Sequence, residues 1–380
     1  MSWTSDLDGL LERAVAERRV PGAVAVVTGP GELVYEGAAG TATPSTVFRI
    51  ASMTKAVTSV AALQLLEQGR LELDQPVESI LPEFGELQVL EGFDGDTPRL
   101  RPPATPATIR HLMTHTSGLG YFFVDLDLVR FHEVTGTPSI LTGLRASLRT
   151  PLTFDPGTRW AYSIAVDWLG LVVEAVSGQD LAAYFTEHIF TPLGMTDTTF
   201  APTDEQRGRL IPVHHRTPDG GLVAGDLEMP AEPEFWAGGS GLYGTGRDYA
   251  RFMAALLADG GPILRPETVD LMFTDHLRGA PLPEIIRSAA PELINDIPSL
   301  PVAQGWGLGL HLTLEDLAGM RRAGTGDWAG LFNCYFWIDR ASGIAAAFLT
   351  QVLPFFDAAI VEAMLGMEQS VYGGVTASAA

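Results

Sequence analysis

Strand signals in this chain are concentrated at its two ends and few between them, and that distribution limits the folds open to it. "GAVAVVTG" (22–29) and "ELVYEGAAG" (32–40) are short β-rich runs split by a Pro-Gly turn, the signature of a hairpin. The pattern returns only in the last quarter. There "GWGLGLHLTL" (305–314), "AGMRRAG" (318–324), "LFNCYFWID" (331–339) and "GIAAAFLTQVL" (343–353) stand close together and predict an antiparallel meander. Between these ends lie Pro and Gly turns and helical periods such as "VDWLGLVVEAVSG" (166–178) and "LAAYFTEHIF" (181–190). Two strand-bearing ends around a helical middle predict one sheet assembled from both. The expected class is α/β (α+β), an antiparallel sheet flanked by helices with an inserted helical subdomain. Within a single domain, 1–380, residues 1–75 plus 225–380 are expected to form the sheet part and 76–224 the mostly helical part.

Three helices frame that sheet. The first 20 residues read as an amphipathic surface helix with Leu7, Leu10, Leu11 and Val15 on one face. Ser52 to Gln68 carries Met53, Ala56, Val57, Val60 and Ala61 at helical spacing, with Gly69 placed to stop it. A last helix covers about "FDAAIVEAMLGME" (356–368). The first helix lacks the basic and apolar regions of a secretory signal, and no run of 18 apolar residues occurs, so a cytoplasmic protein without membrane spans is expected. A formal charge of −22 argues against a nucleic-acid partner, which would require clustered cations. Cys334, the sole cysteine, sits in an apolar run and reads as a small core residue, leaving no disulfide or zinc cluster.

Of the 24 basic residues only one, Lys55, is a lysine. Arginine stays protonated under all ordinary conditions, whereas a buried lysine can give up its proton. Ser52 stands three residues earlier, so on a helix the hydroxyl and the amine are neighbours, their Cβ atoms about 5–6 Å apart. A serine in the first turn has the helix dipole to favour developing negative charge, and a deprotonated amine beside it can accept its proton. Such a lysine must lose about three pK units, ~4 kcal/mol of environment, which a packed apolar interior supplies by desolvation. By itself S-x-x-K is equally compatible with a helix cap and a solvated lysine.

Two further stretches give it context. "FDPGTRWAYSIAVDWLG" (154–170) places Tyr162 after a Pro-Gly turn, just before a helical period that begins near Ile164. "AGTGDWAGLFNCYFWID" (323–339) runs a Trp328-Ala329-Gly330 turn into a strand. In this order and spacing the three features resemble the serine β-lactamase and penicillin-binding-protein superfamily, closest to its class C-related esterase branch, the family VIII carboxylesterases. "TIRHLMTHTSGLG" (108–120) and "GGSGLYGTGRDYARFMAALL" (238–257) are similar to stretches of the same family, so the resemblance runs from about Pro21 to Leu353.

The resemblance implies a β-lactamase-like fold with an active site between sheet domain and helical subdomain. It implies Ser52 as acyl nucleophile, Lys55 as its partner, Tyr162 as second base, and the N–H groups of Ser52 and Leu331 as an oxyanion hole. Trp328, Ala329, Gly330 and Ile164 would border the substrate. Two departures steer the substrate class. Ile164 replaces the Asn of a Tyr-x-Asn motif, and Trp328 stands where penicillin-converting relatives carry the Lys of Lys-Thr-Gly. Of Arg321 and Arg322, adjacent on an expected strand, at most one could restore a cation. The expected activity is therefore serine carboxylesterase chemistry on an uncharged small-molecule ester, needing no metal or organic cofactor. Amide hydrolysis (a β-lactam, a D-amino-acid peptide or a linear amide), acyl transfer, and a non-catalytic sensor module are the alternatives. Neither acyl length nor oligomeric state is specified.

Competing motifs are weak. G-x-S-x-G is absent, which removes the α/β-hydrolase elbow. "GSGLYG" (239–244) fits a dinucleotide fingerprint only formally, because no parallel strand precedes it. His111 and His115 are spaced i, i+4 but lack the glutamate of H-E-x-x-H, so both read as structural, and "HH" at 214–215 reads as a polar loop.

Overall fold

A computed structural model describes residues 3–225, 227, 230 and 232–378. The two ends meet in one seven-stranded antiparallel sheet. β1 (Gly22–Thr28) and β2 (Leu33–Gly40) form the N-terminal hairpin. β3 (Gln304–Trp306), β4 (His311–Thr313), β5 (Thr325–Gly330), β6 (Cys334–Asp339) and β7 (Ile344–Leu349) form the meander. The order is β3-β4-β5-β6-β7-β1-β2, so the seam between the ends is β7 on β1, with Val24 opposite Leu349 and Val26 opposite Ala347.

Helices α1 (Trp3–Ala16), α2 (Thr54–Glu67), α3 (Ala165–Ser177), α4 (Gly246–Leu257) and α5 (Ala358–Ser378) cover this sheet and fill the insertion. Strand side chains alternate between two layers. Ala23, Ala25 and Val27 join Leu7, Leu11, Ile360 and Met367 of α1 and α5, while Val24 and Val26 join Phe252 and Met253 of α4. With both faces covered, every residue of β1 and β7 is buried, which is why these strands read as unbroken apolar runs.

α2 is the pillar of the second layer. Its sequence suggests a single apolar face, but residues 54 to 65 are buried on all sides, packed against α3 and the sheet layer. Each fully buried Val or Leu there contributes about 1.5–3 kcal/mol. The polar members of the helix must then find partners; Thr58 Oγ1, for example, donates to the Gly238 carbonyl at 2.6 Å.

Several local expectations are corrected. "GWGLGLHLTL" is a hairpin, β3 and β4, turning at Gly309 (φ +93°), where a Cβ would lie 2.0 Å from Ser59 Oγ. "AGMRRAG" is the loop before β5, so Arg321 and Arg322 are not strand neighbours. The middle stretch contains an antiparallel hairpin, Val89–Asp94 with Thr97–Arg101, whose mostly solvent-facing side chains give no apolar alternation to read. His214 and His215 belong to a short strand, His214–Arg216, parallel to Val352–Leu353. Among the described residues no helix is long and apolar enough to cross a membrane.

Candidate active site

Ser52 sits in a 3-10 turn, Ala51–Met53, that runs straight into α2. Ala51 adopts φ +46°, a left-handed conformation rare for a residue with a Cβ, and this bend presents Ser52 at the helix entrance. One turn later Lys55 is only 1% exposed. Its Nζ lies 3.0 Å from Ser52 Oγ, 3.0 Å from the Tyr121 hydroxyl and 2.7 Å from the Gly239 carbonyl. The carbonyl only accepts, whereas both hydroxyls can accept or donate. The three contacts therefore suit an ammonium, and equally a neutral amine with its lone pair toward Ser52.

Tyr162, on the loop leading to α3, donates its hydroxyl to Ser52 Oγ at 2.7 Å. Trp328 on β5 donates its indole N–H to the Tyr162 oxygen at 3.2 Å. Lys55 Nζ lies 4.8 Å from the Tyr162 ring centre and 5.1 Å from that of Tyr121, close enough for cation–π attraction to both. The loop is pinned from the other side. Tyr121 donates its N–H to the Tyr162 carbonyl, Ala161 donates to the His115 carbonyl, and His115 Nδ1 lies 2.8 Å from Ser163 Oγ. Burial, reinforced by the Lys55 charge, holds His115 well below the usual imidazole value, so it is neutral. Burial, with Asp167 and Tyr162 nearby, pushes the Tyr121 phenol well up. Of the two tyrosines at Lys55, only Tyr162 touches Ser52.

Trp328, Ala329 and Gly330, expected as a turn, are instead the last residues of β5, paired with β6, and they close the site. A Cβ on Gly330 would fall 2.3 Å from the Ile50 carbonyl, so glycine is what lets the end of β5 press against the Ser52 turn. That approach brings Leu331 and Ser52 to the wall of one cavity of about 360 Å³, which Trp328, Ala329 and Gly330 also line. Most of the remaining wall is aliphatic or aromatic, with Ile140, Leu141, Leu282, Ile286 and Leu293 among its members. Ile164, expected at the substrate, is instead a core residue at 3% exposure and does not line this cavity. Arg321 reaches the wall but is committed to Glu368 and Asp327, and Arg322 pairs with Asp316 at the surface.

Three residues of the site escaped the sequence reading: Tyr121, Gly239 and Asp167. Each left a trace. Tyr121 directly follows "TIRHLMTHTSGLG", Gly239 opens the "GSGLYG" set aside as a poor dinucleotide motif, and Asp167 is the one acid in the apolar run "IAVDWLGLVV". The two histidines stay apart in role. His111 Nδ1 accepts from Thr108 N–H at a helix start, and among the described residues no cluster suited to a metal ion is found.

Comparison with known proteins bears on the family and the fold. The family model described as Beta-lactamase matches residues 7–368. Acyltransferase calJ of Penicillium decumbens is 36% identical over 81% of this chain and 76% of its own length. Lovastatin esterase of Penicillium rubens is 34% identical over 92% of this chain and 93% of its own. The solved structure of simvastatin synthase (LovD, LovD6 mutant) from Aspergillus terreus superimposes with a TM-score of 0.87 at 30% identity, covering 99% of this chain and 98% of that one.

Proposed function

The chain belongs to the Beta-lactamase family, and from that premise we propose that it is a serine esterase working through an acyl-Ser52 intermediate. The observation that carries this reading is the convergence of Lys55 Nζ and the Tyr162 hydroxyl, 3.0 and 2.7 Å away, on one serine oxygen. Ser52 Oγ attacks the ester carbonyl and passes its proton to the Lys55–Tyr162 pair. The N–H groups of Ser52 and Leu331 receive the carbonyl oxygen as it becomes negative. The tetrahedral adduct collapses, the alkoxide takes the proton through Tyr162, and the alcohol departs. Water then attacks the acyl carbon, gives its proton to the same pair, and Ser52 recovers it. Trp328 N–H supports the negative charge that crosses the Tyr162 oxygen in transit.

The substrate class follows from the wall. An aliphatic and aromatic cavity whose arginine is already paired suits an uncharged, bulky ester, and offers no unpaired arginine to the carboxylate of a β-lactam. The chemistry needs no metal or organic cofactor, and the net charge of −22 argues against a nucleic-acid partner. A second reading is acyl transfer, in which an alcohol replaces water in the second half. It is favoured by the apolar cavity, which excludes water better than a polar one, and by the relative described as an acyltransferase.

A fluorophosphonate should label Ser52, and Ser52→Ala should lose label and at least about three powers of ten in turnover of p-nitrophenyl esters. Esters should exceed a chromogenic cephalosporin by orders of magnitude in kcat/KM. Added alcohol should divert acyl-Ser52 into a new ester if transfer is the main reaction. Equal rates on ester and cephalosporin would overturn the substrate reading.

A further inference from the structure

Lys55 is a buried amine whose three hydrogen-bond partners, Ser52, Tyr121 and the Gly239 carbonyl, are all uncharged. A charge desolvated to this degree needs an opposite charge nearby or must neutralise. The carboxyl group that could answer it is one residue away. Asp167, fully buried in the first turn of α3, accepts the Gly239 N–H on Oδ1 at 2.9 Å, while Gly239 turns its carbonyl to Lys55. A Cβ on Gly239 would lie 2.6 Å from Asp167 Oδ2, so only glycine lets backbone and carboxylate approach this closely. Asp167 Oδ2 has no hydrogen-bond partner among the described residues, so this carboxylate is not fully committed to its own backbone contacts.

We propose that Asp167 is a positioning residue for the acyl chemistry: through Gly239 it fixes the Lys55 amine against Ser52, and it supplies the negative charge that the direct partners of Lys55 lack. The inference rests on the reading of Ser52 and Lys55 as the reacting pair.

The ionisable groups around these two are Tyr121 and His115 from the loop after residue 113, and Tyr162 from the loop before α3. Burial keeps Tyr121 a phenol and His115 neutral. Burial also pushes the Asp167 carboxyl up to about 6, with the Lys55 charge and the Gly239 N–H pulling the other way, so Asp167 is ionised at pH 7. Its value is raised above that of the unfolded chain. Ionisation therefore costs stability, a cost absent below the ordinary carboxylate range and fully present above pH about 6. Asparagine keeps the shape and one acceptor for Gly239 and escapes that cost.

Because the chain has one lysine, labelling with 13C-lysine gives a single Cε resonance that reports Lys55 directly. In Asp167→Asn its titration midpoint should fall by about one pH unit. The specificity constant for a p-nitrophenyl ester, per fluorophosphonate-titrated site, should fall roughly tenfold to a hundredfold with KM little changed. The melting temperature at pH 7.5 should hold or rise. A midpoint that stays in place, with kcat/KM within about twofold, would overturn the proposal and leave Asp167 a packing residue. Should the Asn variant fail to accumulate, Asp167→Ser is read by the same resonance and judged in the same way. Failure of the functional reading has a different signature, wild-type Ser52 that resists fluorophosphonate, and the lysine resonance still decides the Asp167–Lys55 coupling in that case.

Discussion

Two buried clusters of ionisable groups in this molecule, around Arg321 and around Lys55, are built on opposite rules. Around Arg321 each charge meets its opposite. The guanidinium forks onto Glu368 at 2.8 and 2.7 Å and reaches Asp327 at 2.6 Å, and Asp327 also meets His311 Nδ1 at 3.0 Å. Burial alone would raise the Asp327 carboxyl, but His311 and Arg321 overcome it and hold it below its ordinary value. Around Lys55 the contacts are neutral, and the carboxylate stands one residue off. A fully paired cluster has no proton free to move and ties β5 and the loop before it to α5. An under-paired one keeps an amine whose proton is exchangeable with the serine beside it. The first cluster is a clasp; the second is where chemistry is expected.

The largest effect that tests this contrast is at Lys55. Arginine keeps the charge, yet it does not deprotonate near neutral pH, and its planar fork is bulkier than an ammonium in a helix with no open side. Lys55→Arg should lose at least about three powers of ten in acylation, measured as fluorophosphonate labelling rate and ester turnover. A near-native rate would make Lys55 a mere cation and erase the difference between the clusters.

The next effect belongs to the clasp. Arg321→Met removes one partner and leaves Glu368, fully buried, with a charge and nothing opposite. Breaking a buried pair in this way typically costs about 3–5 kcal/mol, so the urea midpoint should drop steeply. Turnover per titrated site should change less than about threefold while the protein is folded. Because Asp327 is depressed in the fold, its share of stability is present above the ordinary carboxylate range and lost as pH falls through its folded value. The acid limb of the stability curve should accordingly be flatter in the variant. Loss of turnover at full folding would mean the two clusters are coupled.

The same contrast shows what a sequence discloses. The sheet was legible because both its faces are covered, which turns β1, β6 and β7 into unbroken apolar runs. That Ser52 and Lys55 meet was legible because a hydroxyl stands three residues before the one lysine among arginines, and Tyr162 joined them through the family resemblance of its motif. The hairpin at 89–101 was not, since exposed strands carry no periodic apolar signal. Tyr121 and Gly239 meet Lys55 across 66 and 184 residues, and Asp167 meets Gly239 across 72; no local pattern encodes a contact at such range. Ile164 misled for a related reason. Two positions past Tyr162 on an irregular loop, its direction is set by the packing of α3, which turns it into the core.

The smallest expected effect separates two roles that Trp328 combines. Its ring is part of the cavity wall, lying 5.0 Å from Tyr162 and 4.7 Å from Trp306 between ring centres, while its N–H donates to the Tyr162 oxygen. Phenylalanine preserves most of the wall and deletes the donor. One neutral hydrogen bond contributes about 1 kcal/mol, so Trp328→Phe should lower kcat roughly three- to tenfold. KM should move little, because the bond acts on the proton path and not on the bound ester. A wall residue alone would show the reverse, a raised KM with kcat intact. That split, read on a single bulky p-nitrophenyl ester, decides whether the under-paired cluster extends from Lys55 through Tyr162 to β5 or ends at the tyrosine.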